Sequence, residues 1–138
     1  KPSSPYGAKF SVPYCIATGL IDGKAGLIQF TETRLRNPDI LNLASKIFYE
    51  INPNDEYPKN YTGDITIYKK DGTSVHAYQN CLRGGKNSPL TKFDLNEKFE
   101  ANLNFGKFKT SEIKKLKSFI DNIFISSNLN DLLEIKFD

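Results

Sequence analysis

Asp71-Gly72 stands between two runs that alternate apolar and polar residues, DITIYKK (64–70) and TSVHAYQN (73–80). Asp-Gly tolerates the positive backbone angles of a tight hairpin turn, so the two runs are expected to pair as antiparallel strands. Alternation then puts Ile65 and Ile67 on one face with Val75 and Ala77, and His76 on the other. A lone two-stranded hairpin is marginal in water and needs helices or further strands packed against it. The other strongly periodic segments read as helices, so the expected class is α+β, with helices packed on a small antiparallel sheet.

Four helices are expected, two on each side of the hairpin. Residues 1–9 read as an extended lead-in, because Pro2 and Pro5 oppose helix. Ser11 is a candidate N-cap, and Pro13 is tolerated in the first turn. Ile16, Ala17, Leu20 and Ile21 repeat at helical spacing up to Gly23, a C-terminal stop. A short turn or helix is expected at AGLIQF (25–30). Asn37, Pro38 and Asp39 open the second helix, with Ile40, Leu43, Ala44 and Ile47 as its apolar stripe. The polar stretch 51–63 is a loop. Beyond the hairpin, Thr91 and Asp94 form a capping box for a third helix that buries Phe93, Phe99 and Leu103. Thr110 or Ser111 caps a fourth, with a stripe of Ile113, Leu116, Ile120, Ile123 and Phe124. NLNDLLEIKF (128–137) suggests a last short turn.

The chain has 138 residues, enough for one compact domain. Apolar residues make up 38% and charged residues 25%, ordinary for a soluble globular protein. A net charge of +3 is too small to argue for nucleic acid. Lys107, Lys109, Lys114, Lys115 and Lys117 read as flanking and solvated-face residues rather than a binding patch, since no aromatic stacking platform accompanies them. No apolar run approaches the roughly 20 residues that span a bilayer, and no signal peptide is visible. The expected location is the cytoplasm. No methionine occurs anywhere, so the chain reads as a piece of a longer protein, with simple removal of an initiator as the alternative.

The residues form no self-sufficient catalytic constellation. His76 has no partner suggested by spacing, and it reads as a surface residue. Cys15 and Cys81 are far apart and lack a C-x-x-C pattern, so a metal site is not expected and reduced thiols are. Cys15 fits a small buried hydrophobe better than a nucleophile. RGGKNSP (83–89) is open to two readings: an anion-binding loop using Arg83 and Lys86, or a flexible strand-to-helix connection.

Several blocks, taken in order, carry more. These are AKFSVPY (8–14), Asp22-Gly23, GLIQFT (26–31), LRNP (35–38), the Asp-Gly hairpin, RGGKNSPLT (83–91) and Lys98-Phe99. Together they resemble the C-terminal region of the MmgE/PrpD family, which includes 2-methylcitrate dehydratase. The resemblance covers about residues 7–125, and the tail after Ser126 matches nothing in the pattern. It implies a larger enzyme with a mostly helical domain, a smaller α+β domain called a lid, and an active site between them. Residues 1–105 would belong to the smaller domain, and 106–138 would return to the helical one. In isolation the helix from Ser111 to Phe124 would then expose apolar surface and favour self-association.

Members of this family dehydrate 2-methylcitrate, decarboxylate cis-aconitate or epimerise iminodisuccinate. The implied function is a 2-methylcitrate dehydratase-like hydro-lyase using acid–base chemistry on a small carboxylate. No metal or organic cofactor is implied, and a homodimer is expected for the intact protein. The family's acid–base histidines and aspartate belong upstream of Lys1. Within this chain Tyr14 matches a family tyrosine at the substrate pocket, where a phenol can bind a carboxylate or relay a proton. The other reading has its ring packed and its hydroxyl exposed. Lys9, Ser11 and Arg83 are further substrate-binding candidates. The competing function is a non-catalytic module that binds a protein or an anionic ligand through 82–89.

Overall fold

A computed structural model describes residues 1–125 and Asn130. The short turn expected at 128–137 lies outside the described residues, Asn130 apart. The elements are α1 (Pro5–Ala8), α2 (Val12–Asp22), a 3-10 turn (Leu27–Phe30), α3 (Glu32–Leu35), α4 (Pro38–Ala44), β1 (Gly63–Tyr68), β2 (Ser74–Gln79), α5 (Lys92–Phe105) and α6 (Thr110–Asn122). The class is α+β. Two compact units are present: Lys1–Phe48 with the described residues from Asn96 on, and Tyr49–Leu95.

In the first unit, α2 packs on α4. Ala8, Tyr14, Ala17, Leu35 and Ile40 form the buried core, with Phe30, Leu43, Ala44 and Ile47 packed against it. The residues expected as the stripe of α4 do face the core, but the helix ends at Ala44 and Ile47 packs from beyond it. Asn37 Oδ1 accepts the backbone N–H groups of Asp39 (3.0 Å) and Ile40 (3.1 Å), supplying two of the partners a helix start lacks. Gly23 closes α2 at φ 69°, a conformation that costs a residue with a Cβ.

Three expectations for this unit change. The lead-in contains a helix, because Pro5 occupies N1, where its fixed φ suits a helix, and Ser4 Oγ accepts the Gly7 N–H at 3.1 Å. The buried face of α2 is Tyr14, Ala17 and Thr18, while Leu20 and Ile21 are exposed. Several stripes overlap at helical period in α2, and contact with α4 selects the one whose small residues allow close approach. α3 was not anticipated; Thr31 caps it by accepting the Arg34 N–H at 3.4 Å.

Among the helices after the hairpin, α5 buries no residue: Phe93 is exposed, and Phe99 and Leu103 are half-buried. α6 begins one residue early. Its N-cap is Lys109, whose N–H donates to Glu112 Oε2 at 2.6 Å. Ile113 is buried and Leu116 half-buried, but Ile120, Ile123 and Phe124 are exposed, so the expected stripe is only partly covered.

In the second unit the hairpin has the expected register, Ile65 opposite Ala77 and Ile67 opposite Val75. Gly72 sits at φ 82°. Lys69 N–H donates to Thr73 O (2.8 Å) and Gly72 N–H to Lys69 O (3.1 Å). Asp71 Oδ1 accepts from both the Thr73 N–H (2.9 Å) and its hydroxyl (2.6 Å). Every residue of both strands is exposed in this chain.

Candidate active site

Ser11 ends the turn after α1 in an extended conformation, and its Oγ accepts the Tyr14 N–H at 3.4 Å. The proline at 13 lacks an N–H, so the cap serves the next residue. This start directs the Tyr14 ring into the core, where it lies 6.0 Å from the Phe30 ring. The Tyr14 hydroxyl is buried too, and it donates to Gln29 O at 2.8 Å. Of the two readings of Tyr14, an exposed hydroxyl is thus not what this chain adopts.

Gln29 joins that bond to a charged cluster. Its Oε1 accepts the Gly26 N–H at 3.0 Å, and its Nε2 donates to Asp22 Oδ2 at 3.1 Å. Arg34 grips the same carboxylate with two nitrogens: Nε donates to Oδ2 at 3.1 Å and Nη2 to Oδ1. Such two-point pairing is the strong form of a guanidinium–carboxylate contact. It holds the Asp22 carboxyl below the usual carboxylate range, with the Gln29 amide adding to it, and raises Arg34 further. The last turn of α2, the 3-10 turn and α3 are thereby tied together beneath Tyr14.

Burial pushes the Tyr14 phenol above its ordinary value; Thr18 and the Arg34 guanidinium pull the other way. At neutral pH this side chain is a neutral O–H donor, suited to giving a proton or binding an anionic oxygen. Thr18 acts on it as a hydrogen-bonding neighbour, yet its Oγ1 makes no hydrogen bond of ordinary geometry among the described residues.

None of the remaining candidates makes a side-chain bond to Asp22, Gln29 or Arg34 in this structure. Lys9 is exposed. The Ser11 hydroxyl is engaged as the cap of α2. Cys15 Sγ lies 3.5 Å from Ala8 O, and burial pushes its thiol up, as befits a packed rather than a reactive cysteine. Arg83 belongs to the second unit, where Nη2 pairs with Asp94 Oδ1 at 2.5 Å. Asp94 also accepts the Thr91 N–H (2.9 Å) and hydroxyl (2.7 Å), as the capping box requires. Three of the loop's backbone N–H groups turn inward: Gly84 donates to Ser88 O (2.6 Å), Gly85 to Leu82 O (3.1 Å) and Ser88 to Gly85 O (3.1 Å). These groups are therefore not held out as an anion cradle.

Sequence reasoning missed Asp22, Gln29, Arg34 and Thr18. Asp22 lies in the Asp-Gly block, where it reads as a helix end; the ion pair shows only once α3 folds back. It also missed the partner of His76, whose Nε2 is 2.7 Å from Asp64 Oδ1. That diagonal pair was recoverable, because the Asp-Gly turn sets a register that places both on one face. Among the described residues, no group of three or more His, Cys, Asp or Glu could hold a metal ion. No described helix is long and apolar enough to cross a membrane.

The MmgE/PrpD C-terminal domain matches residues 1–122. The chain is similar to cis-aconitate decarboxylase of Mus musculus, 31% identical over 103 residues, covering 73% of this chain and 21% of that protein. It is also similar to cis-aconitate decarboxylase of Homo sapiens, 30% identical over 102 residues, with the same coverage. The chain therefore spans about a fifth of the length of these curated relatives.

Proposed function

This chain belongs to the MmgE/PrpD family through its C-terminal domain, and from that premise we propose that the protein containing it is a lyase acting on a small di- or tricarboxylate. The observation that carries the proposal is the family match across residues 1–122. Such substrates demand proton removal or delivery beside a carboxylate, by positioned acid–base groups and cationic contacts. Tyr14 is assigned the phenol of that machinery, binding a carboxylate or relaying a proton after exchanging Gln29 O for substrate. Lys9 is assigned a carboxylate contact. Ser11 and Arg83 are assigned further carboxylate contacts: the Ser11 hydroxyl caps α2 as an acceptor and keeps its O–H as a donor, and Arg83 has guanidinium N–H groups beyond the Nη2 that meets Asp94. The principal acid–base residues are placed upstream of Lys1, without a metal or organic cofactor. Residues 1–105 are assigned to the smaller domain, 106–138 to a return onto a helical domain, and the intact protein to a cytoplasmic homodimer.

Two reactions compete. The resemblance is to a family that includes 2-methylcitrate dehydratase, which suggests dehydration of a 2-methylcitrate-like substrate; the relatives at 30–31% identity are named for decarboxylation of cis-aconitate. The full-length protein should be assayed with 2-methylcitrate, cis-aconitate and iminodisuccinate. Turnover of the first or second chooses between the readings, and turnover of none defeats the lyase assignment. On the best substrate, Tyr14→Phe should cost about 100-fold or more if the phenol relays a proton. Activity unchanged within about twofold removes Tyr14 from the mechanism. A non-catalytic module binding anions through 82–89 is disfavoured by the internal pairing of the Gly84, Gly85 and Ser88 N–H groups and by the Arg83–Asp94 pair.

A further inference from the structure

Thr18 follows Tyr14 by one helical turn on the buried face of α2, and its side chain is fully buried. A threonine inside a helix ordinarily satisfies its hydroxyl on the carbonyl one turn back, or in solvent. Neither outlet is used: Oγ1 has no hydrogen-bond partner among the described residues. A buried hydroxyl without a partner loses its hydration with no return, and valine would fill the same space without that cost. The hydroxyl is explained if it acquires a partner at another stage of the protein's work.

The resting hydrogen bond of Tyr14 indicates which stage. Gln29 O is an acceptor, so it holds the phenol protonated and can only repel a phenolate. Once Tyr14 turns to substrate or gives up its proton, its oxygen needs a donor. Gln29 Nε2 and two nitrogens of Arg34 are already committed to Asp22. The Thr18 hydroxyl makes no hydrogen bond of ordinary geometry among the described residues, and it lies one helical turn from Tyr14 as the phenol's hydrogen-bonding neighbour. We propose that Thr18 is a positioning residue for Tyr14, its buried hydroxyl donating to the phenol oxygen as that oxygen leaves Gln29 and delivers its proton.

The inference rests on the reading of Tyr14 as a substrate-side residue. In the proton step the Tyr14 O–H bond breaks, a new bond to hydrogen forms on the substrate, and the electron pair stays on the phenol oxygen. Thr18 keeps its own proton throughout, and Tyr14 regains one from water. The charged and titratable groups facing the phenol are Arg34 from α3 and Asp22 and Cys15 from α2 itself, with Asp39 of α4 acting on Arg34. Thr18 and Arg34 favour the ionised phenol; burial, Asp22 and Cys15 oppose it.

The test uses the full-length protein with its best substrate and compares Thr18→Val, Thr18→Ser and Tyr14→Phe. Thr18→Val should melt no lower than the parent while kcat falls about 10-fold or more, the loss of one hydrogen bond to a charged oxygen. The limb of its pH–rate profile that belongs to Tyr14 should move to higher pH, since the phenolate loses its donor. Thr18→Ser, which keeps the hydroxyl, should retain kcat within about threefold. Parental kcat and pH profile in Thr18→Val, beside an inactive Tyr14→Phe, overturn the inference and leave the Tyr14 reading intact. A loss shared equally by Thr18→Ser also overturns it, because the methyl group would then be what matters. An active Tyr14→Phe removes both. Should Thr18→Val not fold, Thr18→Cys, a much weaker donor of similar size, is judged by the same criteria.

Discussion

Residues Lys1–Phe48 bury Ala8, Tyr14, Ala17, Thr18 and Ile40 completely, whereas no described residue of Tyr49–Leu95 is buried. The first region is held by side chains removed from water and by a polar cluster underneath them. The second is held by a backbone ladder, a glycine turn and exposed hydrogen bonds such as Asp71 to Thr73 and Asp94 to Thr91. The contrast separates regularity from burial. The hairpin is the more regular of the two in sequence, yet the less regular segment contains the core and the candidate site.

The strongest way to break this comparison is a matched pair of truncations. Ile40→Ala should cost the first unit about 2–5 kcal/mol through lost burial and the cavity left behind. Ile67→Ala should cost the hairpin about 1 kcal/mol or less. Hydrogen exchange of α4 and β1 amides in the full-length protein measures both. Equal costs would mean that the apolar face of the hairpin is covered in the intact protein.

Glycine replacements sharpen the same contrast with opposite signs. At Gly72 an added Cβ meets nothing within 4 Å, so the penalty is purely that of φ 82°. Gly72→Ala should destabilise the hairpin by about 1–2 kcal/mol. Gly19 lies inside α2 and is equally open. Gly19→Ala should stabilise the first unit by about 0.5–1 kcal/mol. Thermal melting with peptide-resolved exchange distinguishes the two.

Acid provides a finer test. The Asp22 carboxyl lies lower in the fold than in the unfolded chain, so its contribution is present above the unfolded value of about 3.9. It is lost as pH falls through the lower folded value. Asp22→Asn should flatten the acid dependence of α2 amide exchange and leave that of β1 and β2 unchanged. The smallest effect is expected at Arg83. Its exposed pair with Asp94 is screened by water, so Arg83→Gln should scarcely shift the melting of the second unit.

Local chemistry was legible wherever one residue type acts on its immediate neighbours. Ser11 and Asn37 as caps, Gly23 as a stop, the Thr91–Asp94 box and the Asp-Gly register all stand as read. They depend on φ preferences and hydrogen bonds reaching three or four residues. The family was legible for another reason: its blocks recur in order from Ala8 to Phe99, and the domain match across 1–122 agrees with them.

Tertiary structure decided the faces and the partners. Periodicity allowed α2 several buried stripes, and only contact with α4 selected Tyr14, Ala17 and Thr18 over Leu20 and Ile21. Lys109 rather than Thr110 or Ser111 is the N-cap of α6, because Glu112 reaches back to it. Spacing had no means of linking Tyr14 to Gln29 or Asp22 to Arg34. Those bonds span 15 and 12 residues, and they exist only where the chain returns on itself. By itself the sequence determined the caps and stops at Ser11, Gly23, Asn37 and Thr91, the hairpin register and which family the whole resembles. The fold alone decided which hydroxyls leave water, because burial belongs to the packed chain rather than to any residue in it.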